Sequence, residues 1–129
     1  MRIRLLSLAL LVLVGTALAR DDKTLTPEQA RKQVGKKITL VMKVETAKDR
    51  LEKRGEIYLD ADEDFKSEKN FAVVITRAGA KSLQEAGIDD PAAHFKNKKV
   101  RARGTVKEVD GVPRIEIDNA KDLTRVEDK

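Results

Sequence analysis

The chain contains no cysteine and no tryptophan, and only one histidine, one tyrosine, three phenylalanines and three prolines. Without cysteine the fold has no covalent staple and must hold by packing alone. With His94 as the single imidazole, the usual ligand sets for zinc, haem and iron–sulfur clusters are missing, so neither a metal nor a cofactor is expected. Catalytic constellations are scarce too. His94 has no cysteine and no serine in a strained glycine turn to work with, and no glycine-rich phosphate loop follows a strand. Among 22 acidic residues nothing singles out a pair for sugar cleavage. The expectation is a protein that binds rather than catalyses.

The one long apolar run lies at the N-terminus. Arg2 and Arg4 precede Leu5 to Val14, and Gly15-Thr16 leads to the small-residue triplet Ala17-Leu18-Ala19. That order of basic end, apolar core and small-residue site is a secretory signal peptide, with cleavage expected after Ala19. The alternative, a membrane anchor, needs about 20 apolar residues, more than this run supplies. Removing residues 1–19 takes away two of the 27 basic residues and no acid, so part of the formal net charge of +5 belongs to the leader. The mature chain is long enough for one modest core and one domain. The expected organisation is a signal peptide at 1–19, a short extension with a helix at 20–33, a folded domain at 34–126 and a charged tail at 127–129. The expected location is the periplasm or the exterior, with no membrane span once the leader is removed.

Along the mature chain, Thr26-Pro27-Glu28-Gln29 reads as a helix start, with a hydroxyl cap and proline at the first helical position, and the helix should end near Val34-Gly35. From Ile38 the apolar spacing shortens to two: Ile38, Leu40, Met42 and Val44 alternate with their neighbours in a first strand. A charged loop from Ala47 to Gly55 should follow, then a second strand with Ile57 and Leu59 inward and Tyr58 outward. An acidic loop from Asp60 to Asn70 leads into a third strand with Phe71, Val73 and Ile75 on the core side. Between Ala78 and Phe95 the spacing is helical, with Gly87 placed as a left-handed stop and Asp89-Asp90-Pro91 opening a second short turn. Val100 to Val106 alternates again, and Asp110-Gly111 is a hairpin signal joining it to Val112–Ile117.

Three strands, a helical connector and two strands in a hairpin is the order of the oligonucleotide/oligosaccharide-binding (OB) fold, a mainly β, five-stranded Greek-key barrel, here preceded by a short N-terminal helix. Another small α+β sheet could use the same elements. The segments Val34–Leu40, Ile57–Leu59, Asn70–Ile75, Gly87–Pro91, Val100–Val106 and Gly111–Ile117 resemble small exported bacterial proteins of the OB-fold, anticodon-binding-like nucleic-acid superfamily. The likeness runs from about Val34 to Leu123 and rests mainly on fold-determining glycines and alternating apolar residues. It implies a barrel, and single-stranded nucleic acid as the ligand by superfamily membership.

In that fold, ligands lie across strands two and three and against the loops joining strands one to two and four to five. This places Lys48, Arg50, Lys53, Arg54 and Tyr58 as candidate contacts, with Arg101, Arg103 and Arg114 contributed by the closing hairpin. The cations would neutralise phosphates, and the tyrosine would stack on a base. Solvated surface charge is the plain alternative, because Glu45, Asp49, Glu52 and Glu56 are interleaved with the same cations. An envelope protein or an anionic polymer would be the corresponding partner of a different kind. Asp60-Ala61-Asp62-Glu63-Asp64 invites a calcium reading, but Phe65 and Phe71 stand where such a loop needs glycine and glutamate. It reads as a solvated acidic loop.

Overall fold

The fold is described from a computed structural model, covering residues 24–126. The expected signal peptide and charged tail lie outside these residues. The elements in order are β1 (Thr24–Leu25), α1 (Pro27–Ala30), β2 (Lys37–Lys43), β3 (Thr46–Arg50), α2 (Leu51–Arg54), β4 (Glu56–Asp60), β5 (Ala72–Thr76), α3 (Arg77–Glu85), α4 (Pro91–Phe95), β6 (Lys99–Val109), β7 (Val112–Ile117), a 3₁₀ turn (Ala120–Asp122) and β8 (Leu123–Arg125). The architecture is mainly β, a mixed eight-stranded sheet with the helices packed around it.

The strands run in the order β1-β2-β6-β7-β5-β4-β3, with β8 added to β6. Antiparallel ladders join β2 to β6 and β3 to β4, while β5 and β7 run parallel, with Ala72 opposite Arg114 and Ile75 opposite Ile117. A parallel pair needs a crossover, and α3 and α4 supply it. β2 and β3 stand far apart in this order yet are separated in the chain by only Val44 and Glu45. Val44 N–H donates to Lys98 O at 2.9 Å and Glu45 N–H to Asp60 O at 2.8 Å, so neighbouring residues bond to opposite ends of the sheet.

Alternation dictates the core. Leu40, Met42 and Val44, then Ile57 and Leu59, Val73 and Ile75, Val100 and Ala102, and Ile115 and Ile117 converge on Phe71, Leu83, Phe95 and Leu123. Full burial of each large side chain contributes about 1.5–3 kcal/mol. Val74, on the opposite face from Val73, is also fully buried. Helix α3 closes against the strands because Gly79 carries no side chain: a Cβ there would lie 2.0 Å from the Ile117 carbonyl oxygen. The hairpin turn forms at Asp110 (φ 52°) and Gly111 (φ 80°), a pair of left-handed residues matched to the strand twist.

Two expectations are corrected. The charged stretch from Ala47 to Gly55 is not a loop: Thr46–Arg50 pairs residue for residue with Glu56–Asp60, and Leu51–Arg54 forms a helical turn ended by left-handed Gly55. Its charges hid the pattern because its outward residues face a cleft rather than bulk water. The described residues hold eight strands: the five expected ones, the added strand Thr46–Arg50, and short β1 and β8 at the edges. The N-terminal helix stops at Ala30, short of Val34, where the Gly35 N–H joins Val106 O at 2.8 Å and draws the chain toward β6. The helical connector is two helices, as expected: Gly87 at φ 94° stops the first, and the bond from Ile88 N–H to Leu83 O folds Ile88 back onto the core.

Candidate functional site

The outward residues of β3, β4, β5 and β7 fall into register. One row runs Lys48, Tyr58, Val74 and Glu116; the next runs Thr46, Asp60, Ala72 and Arg114; Arg50 faces Glu56 on the other side. Of these, Lys48, Arg50, Tyr58, Asp60, Ala72 and Arg114 line a cleft of about 370 Å³, together with Arg54 of α2, Phe65 and Asn70 from the acidic loop, and Val109, Asp110 and Val112 from the closing hairpin. The cleft therefore occupies the face between the turn after β3 and the turn between β6 and β7.

Of the candidates named from sequence, Lys48, Arg50, Arg54, Tyr58 and Arg114 line this cleft. Lys53 does not: it is exposed on α2. Arg101 and Arg103 do not either. They lie on the half of β6 that pairs with β2, opposite Val41 and Thr39, so assigning them to the ligand face is corrected. Strand parity alone gave their outward direction; which part of the long strand faces which neighbour comes only from the pairing.

The polar groups in the cleft are tied to one another. The Tyr58 hydroxyl donates to Glu56 Oε1 at 2.5 Å, and the other Glu56 oxygen lies 3.3 Å from Arg114 Nη1, which is also 3.3 Å from Glu116. Burial, followed by the Glu56 hydrogen bond, raises the Tyr58 pKa, with Arg54 pulling the other way. The Arg114 guanidinium stands 6.0 Å from the Tyr58 ring centroid, within cation–π range. Its Nε is buried and has no acceptor among the described residues. That leaves one donor in the cleft without a partner.

At the floor, Asp60 is only 3% exposed, contrary to the solvated acidic loop expected from its neighbours. The Asn70 amide donates to Asp60 Oδ1 at 2.9 Å and to the Phe65 carbonyl at 3.2 Å, while Asn70 Oδ1 accepts from the Asp62 N–H at 3.0 Å. Burial raises the Asp60 pKa, opposed by the Asn70 hydrogen bond and by the charges of Lys48 and Arg114. Asp62 and Asp64 turn their oxygens to backbone N–H groups two residues on, which folds the loop on itself. No cluster of three or more metal-ligating side chains occurs among the described residues.

Sequence reasoning missed Phe65, Asp60 and Asn70 as cleft residues. Phe65 is 46% exposed, with the Lys48 ammonium 4.4 Å and the Lys66 ammonium 5.7 Å from its ring centroid. Its signal was a large aromatic with no alternating partner inside an acidic stretch. His94 lies away from the cleft, on α4. Its ring meets Phe95 edge-on at 4.7 Å, and burial together with Arg125 and Lys98 lowers its pKa.

No family model matches the chain, and no curated protein does. Solved structures match it in fold. A protein of Leishmania major Friedlin described as an aspartyl-tRNA synthetase aligns at TM-score 0.54 and 12% identity over 91% of this chain. The asparaginyl-tRNA synthetase from Pyrococcus horikoshii aligns at TM-score 0.54 and 16% identity over 84% of it. The chain spans about a quarter of the length of these two proteins, 23% and 24% respectively. The OBody AM3L09, solved bound to hen egg-white lysozyme, aligns at TM-score 0.51 and 10% identity, covering 78% of this chain and 90% of that one. At 10–16% identity the likeness is one of fold alone. No described helix is long and apolar enough to cross a membrane.

Proposed function

We propose that this chain is an exported, non-enzymatic OB-fold module that holds single-stranded nucleic acid in the cleft between β3, β4 and the closing hairpin. The observation carrying the reading is the convergence of Lys48, Arg50, Arg54 and Arg114 with two aromatic rings, Tyr58 and Phe65, in one open cleft. Cations neutralise backbone phosphates and release counterions, and aromatic faces accept any base. The five-stranded Greek-key barrel belongs to this proposal. In it β2 and β3 count as one bent strand; their pairing with β6 at one end and with β4 at the other supports this reading. Export rests on the order of Arg2, Arg4, the Leu5–Val14 run and Ala17-Leu18-Ala19. The intact mass of secreted protein starting at Arg20 checks it.

A second reading has its own support. Glu56, Asp60, Asp110 and Glu116 share the cleft region with the cations, and alternating charge beside an exposed Phe65 suits a protein surface. The OBody, solved on lysozyme, is a neighbour of similar fold that binds a protein.

The experiment is titration of labelled single-stranded DNA and RNA across a salt series, with wild type beside a Lys48→Ala/Arg50→Ala/Arg54→Ala variant. Steep weakening with salt and a loss of about tenfold or more in the variant support the nucleic-acid reading. Absence of binding at low salt overturns it in favour of a protein partner.

A further inference from the structure

The cleft mixes both signs of charge; on another face of the same sheet the outward strand positions are basic or neutral, with acids only at its two ends. On β2 and β6 the outward residues alternate with core residues, and the ladder pairs Lys43 with Lys99, Val41 with Arg101, Thr39 with Arg103 and Lys37 with Thr105. Thr124 of β8 joins the row of Arg101, and Thr24 of β1 joins the row of Arg103. The outward positions of β1, β2, β8 and of β6 from Lys99 to Lys107 carry no acid, although the chain has 22 acidic residues against 27 basic ones; beyond them Glu108 is exposed on β6, and Lys107 meets Glu116 of β7 at 3.4 Å. Lys43 meets Glu45 at 3.7 Å across the end of β2. Among the described residues the exposed side chains of Arg101 and Arg103 make no hydrogen bond or ion pair.

The face is also continuous with the cleft. The outward series of β6 runs Lys99, Arg101, Arg103, Thr105 and Lys107, and ends at Val109, which lines the cleft; Lys107 stands opposite Arg114 in the ladder to β7. Successive outward residues on a strand are about 6.8 Å apart, a spacing comparable to that of neighbouring phosphates in an extended single strand. The face has no aromatic ring, so it offers nothing for a base to stack on, and Val41 is its one apolar side chain on β2, too little to enter a lipid surface.

We propose that the outer face of β2, β6 and β8 is a second nucleic-acid surface, a sequence-blind phosphate track that takes the backbone of a single strand as it leaves the cleft along β6. It deepens the nucleic-acid reading of the cleft but rests on different residues. The occupied length of strand is therefore longer than the cleft alone accounts for, and the face adds affinity and salt dependence without base preference.

The test compares oligothymidylates of about 6 and about 20 nucleotides, bracketing what one such domain covers, against wild type, Arg101→Ala/Arg103→Ala and Arg50→Ala/Arg54→Ala. The proposal expects Arg101→Ala/Arg103→Ala to bind the short strand like wild type. For the long strand it expects a loss of about fivefold to tenfold and a log–log salt slope shallower by about 1.4, two phosphate contacts' worth. Arg101→Lys/Arg103→Lys should restore most of the long-strand affinity, which a purely structural defect would not allow. Unchanged long-strand affinity and slope in Arg101→Ala/Arg103→Ala overturn the proposal while leaving the cleft reading intact. A long-strand loss in that variant, with no effect of Arg50→Ala/Arg54→Ala, upholds the track and overturns the cleft. Binding of neither strand by wild type overturns both. If Arg101 and Arg103 are needed for binding to vesicles of phosphatidylglycerol and phosphatidylcholine but not for oligonucleotide, the face serves an anionic membrane and the proposal fails.

Discussion

The side-chain amide of Asn70 holds the carboxylate of Asp60 at 2.9 Å, with Asn70 fully buried and Asp60 nearly so. One residue closes β4, and the other lies ten positions on, where the acidic loop returns to the sheet. Their bond fixes the loop that carries Phe65 and places a carboxylate at the floor of the cleft that holds Lys48, Arg50, Arg54 and Arg114.

Burial raises the Asp60 pKa above 3.8, so the native state binds this proton more tightly than the unfolded chain does. Ionised Asp60 is a cost at neutral pH, and the cost fades as pH falls through the raised value toward 3.8, the reverse of a salt-bridged carboxylate. Asp60→Asn, which keeps an acceptor for Asn70, should have a higher urea midpoint than wild type at neutral pH, with the gap closing near about pH 4. A less stable variant at neutral pH would mean that Lys48 and Arg114 outweigh burial.

Arg114 sits between Glu56 and Glu116 at 3.3 Å from each, its side chain only 13% exposed. Arg114→Met should destabilise the fold by about 1–2 kcal/mol in urea unfolding, because Glu56 then loses its cation and Glu116 keeps only the exposed Lys107 at 3.4 Å. Adding Glu56→Gln should return part of that loss. Strictly additive losses would show that the three groups do not act as a cluster.

At Gly79 the helix α3 touches β7 with no room for a methyl group. Gly79→Ala should cost about 3 kcal/mol and lower Tm sharply, since the Ile117 carbonyl belongs to a paired strand and cannot retreat. Gly79→Ala within 0.5 kcal/mol or so of wild type, the scale of a neutral surface change, would mean that α3 shifts freely on the sheet.

Phe65 is half exposed, with the Lys48 and Lys66 ammonium groups over its ring. Phe65→Ala should leave urea stability within about 0.5 kcal/mol of wild type while weakening single-strand binding by about fivefold or more, one stacked base lost. Equal oligonucleotide affinity would remove Phe65 from the ligand site.

Much of the architecture was legible because it is written in period. Leu40, Met42, Val73, Ile75, Ile115 and Ile117 alternate cleanly, and all are buried. Gly87 and Asp110-Gly111 announced their backbone angles. The Thr46–Arg50 strand was not legible, because its outward Lys48 and Arg50 and its exposed Asp49 look like a solvated loop when the partner strand is unknown. Asp60 was hidden for the same reason: composition marks an acid, but only the fold supplies Asn70 to bury it. Arg101 and Arg103 were correctly read as outward and wrongly placed, since alternation fixes a side chain's direction and says nothing about which part of a curved strand meets which neighbour.

The ladders that join the two halves of the chain have a kinetic consequence. Lys37 pairs with Thr105 and Ala72 with Arg114, so β2 and β5 each wait for partners tens of residues downstream. The short β1–β2 pair, the β3–β4–β5 meander and the β6–β7 hairpin are local pairings that can form early. Sheet completion must bear the entropy of closing long loops, which slows folding. Until β6 and β7 have emerged, the chain stays open, and a truncation before Lys99 leaves β2 without its antiparallel partner however well the first half is made.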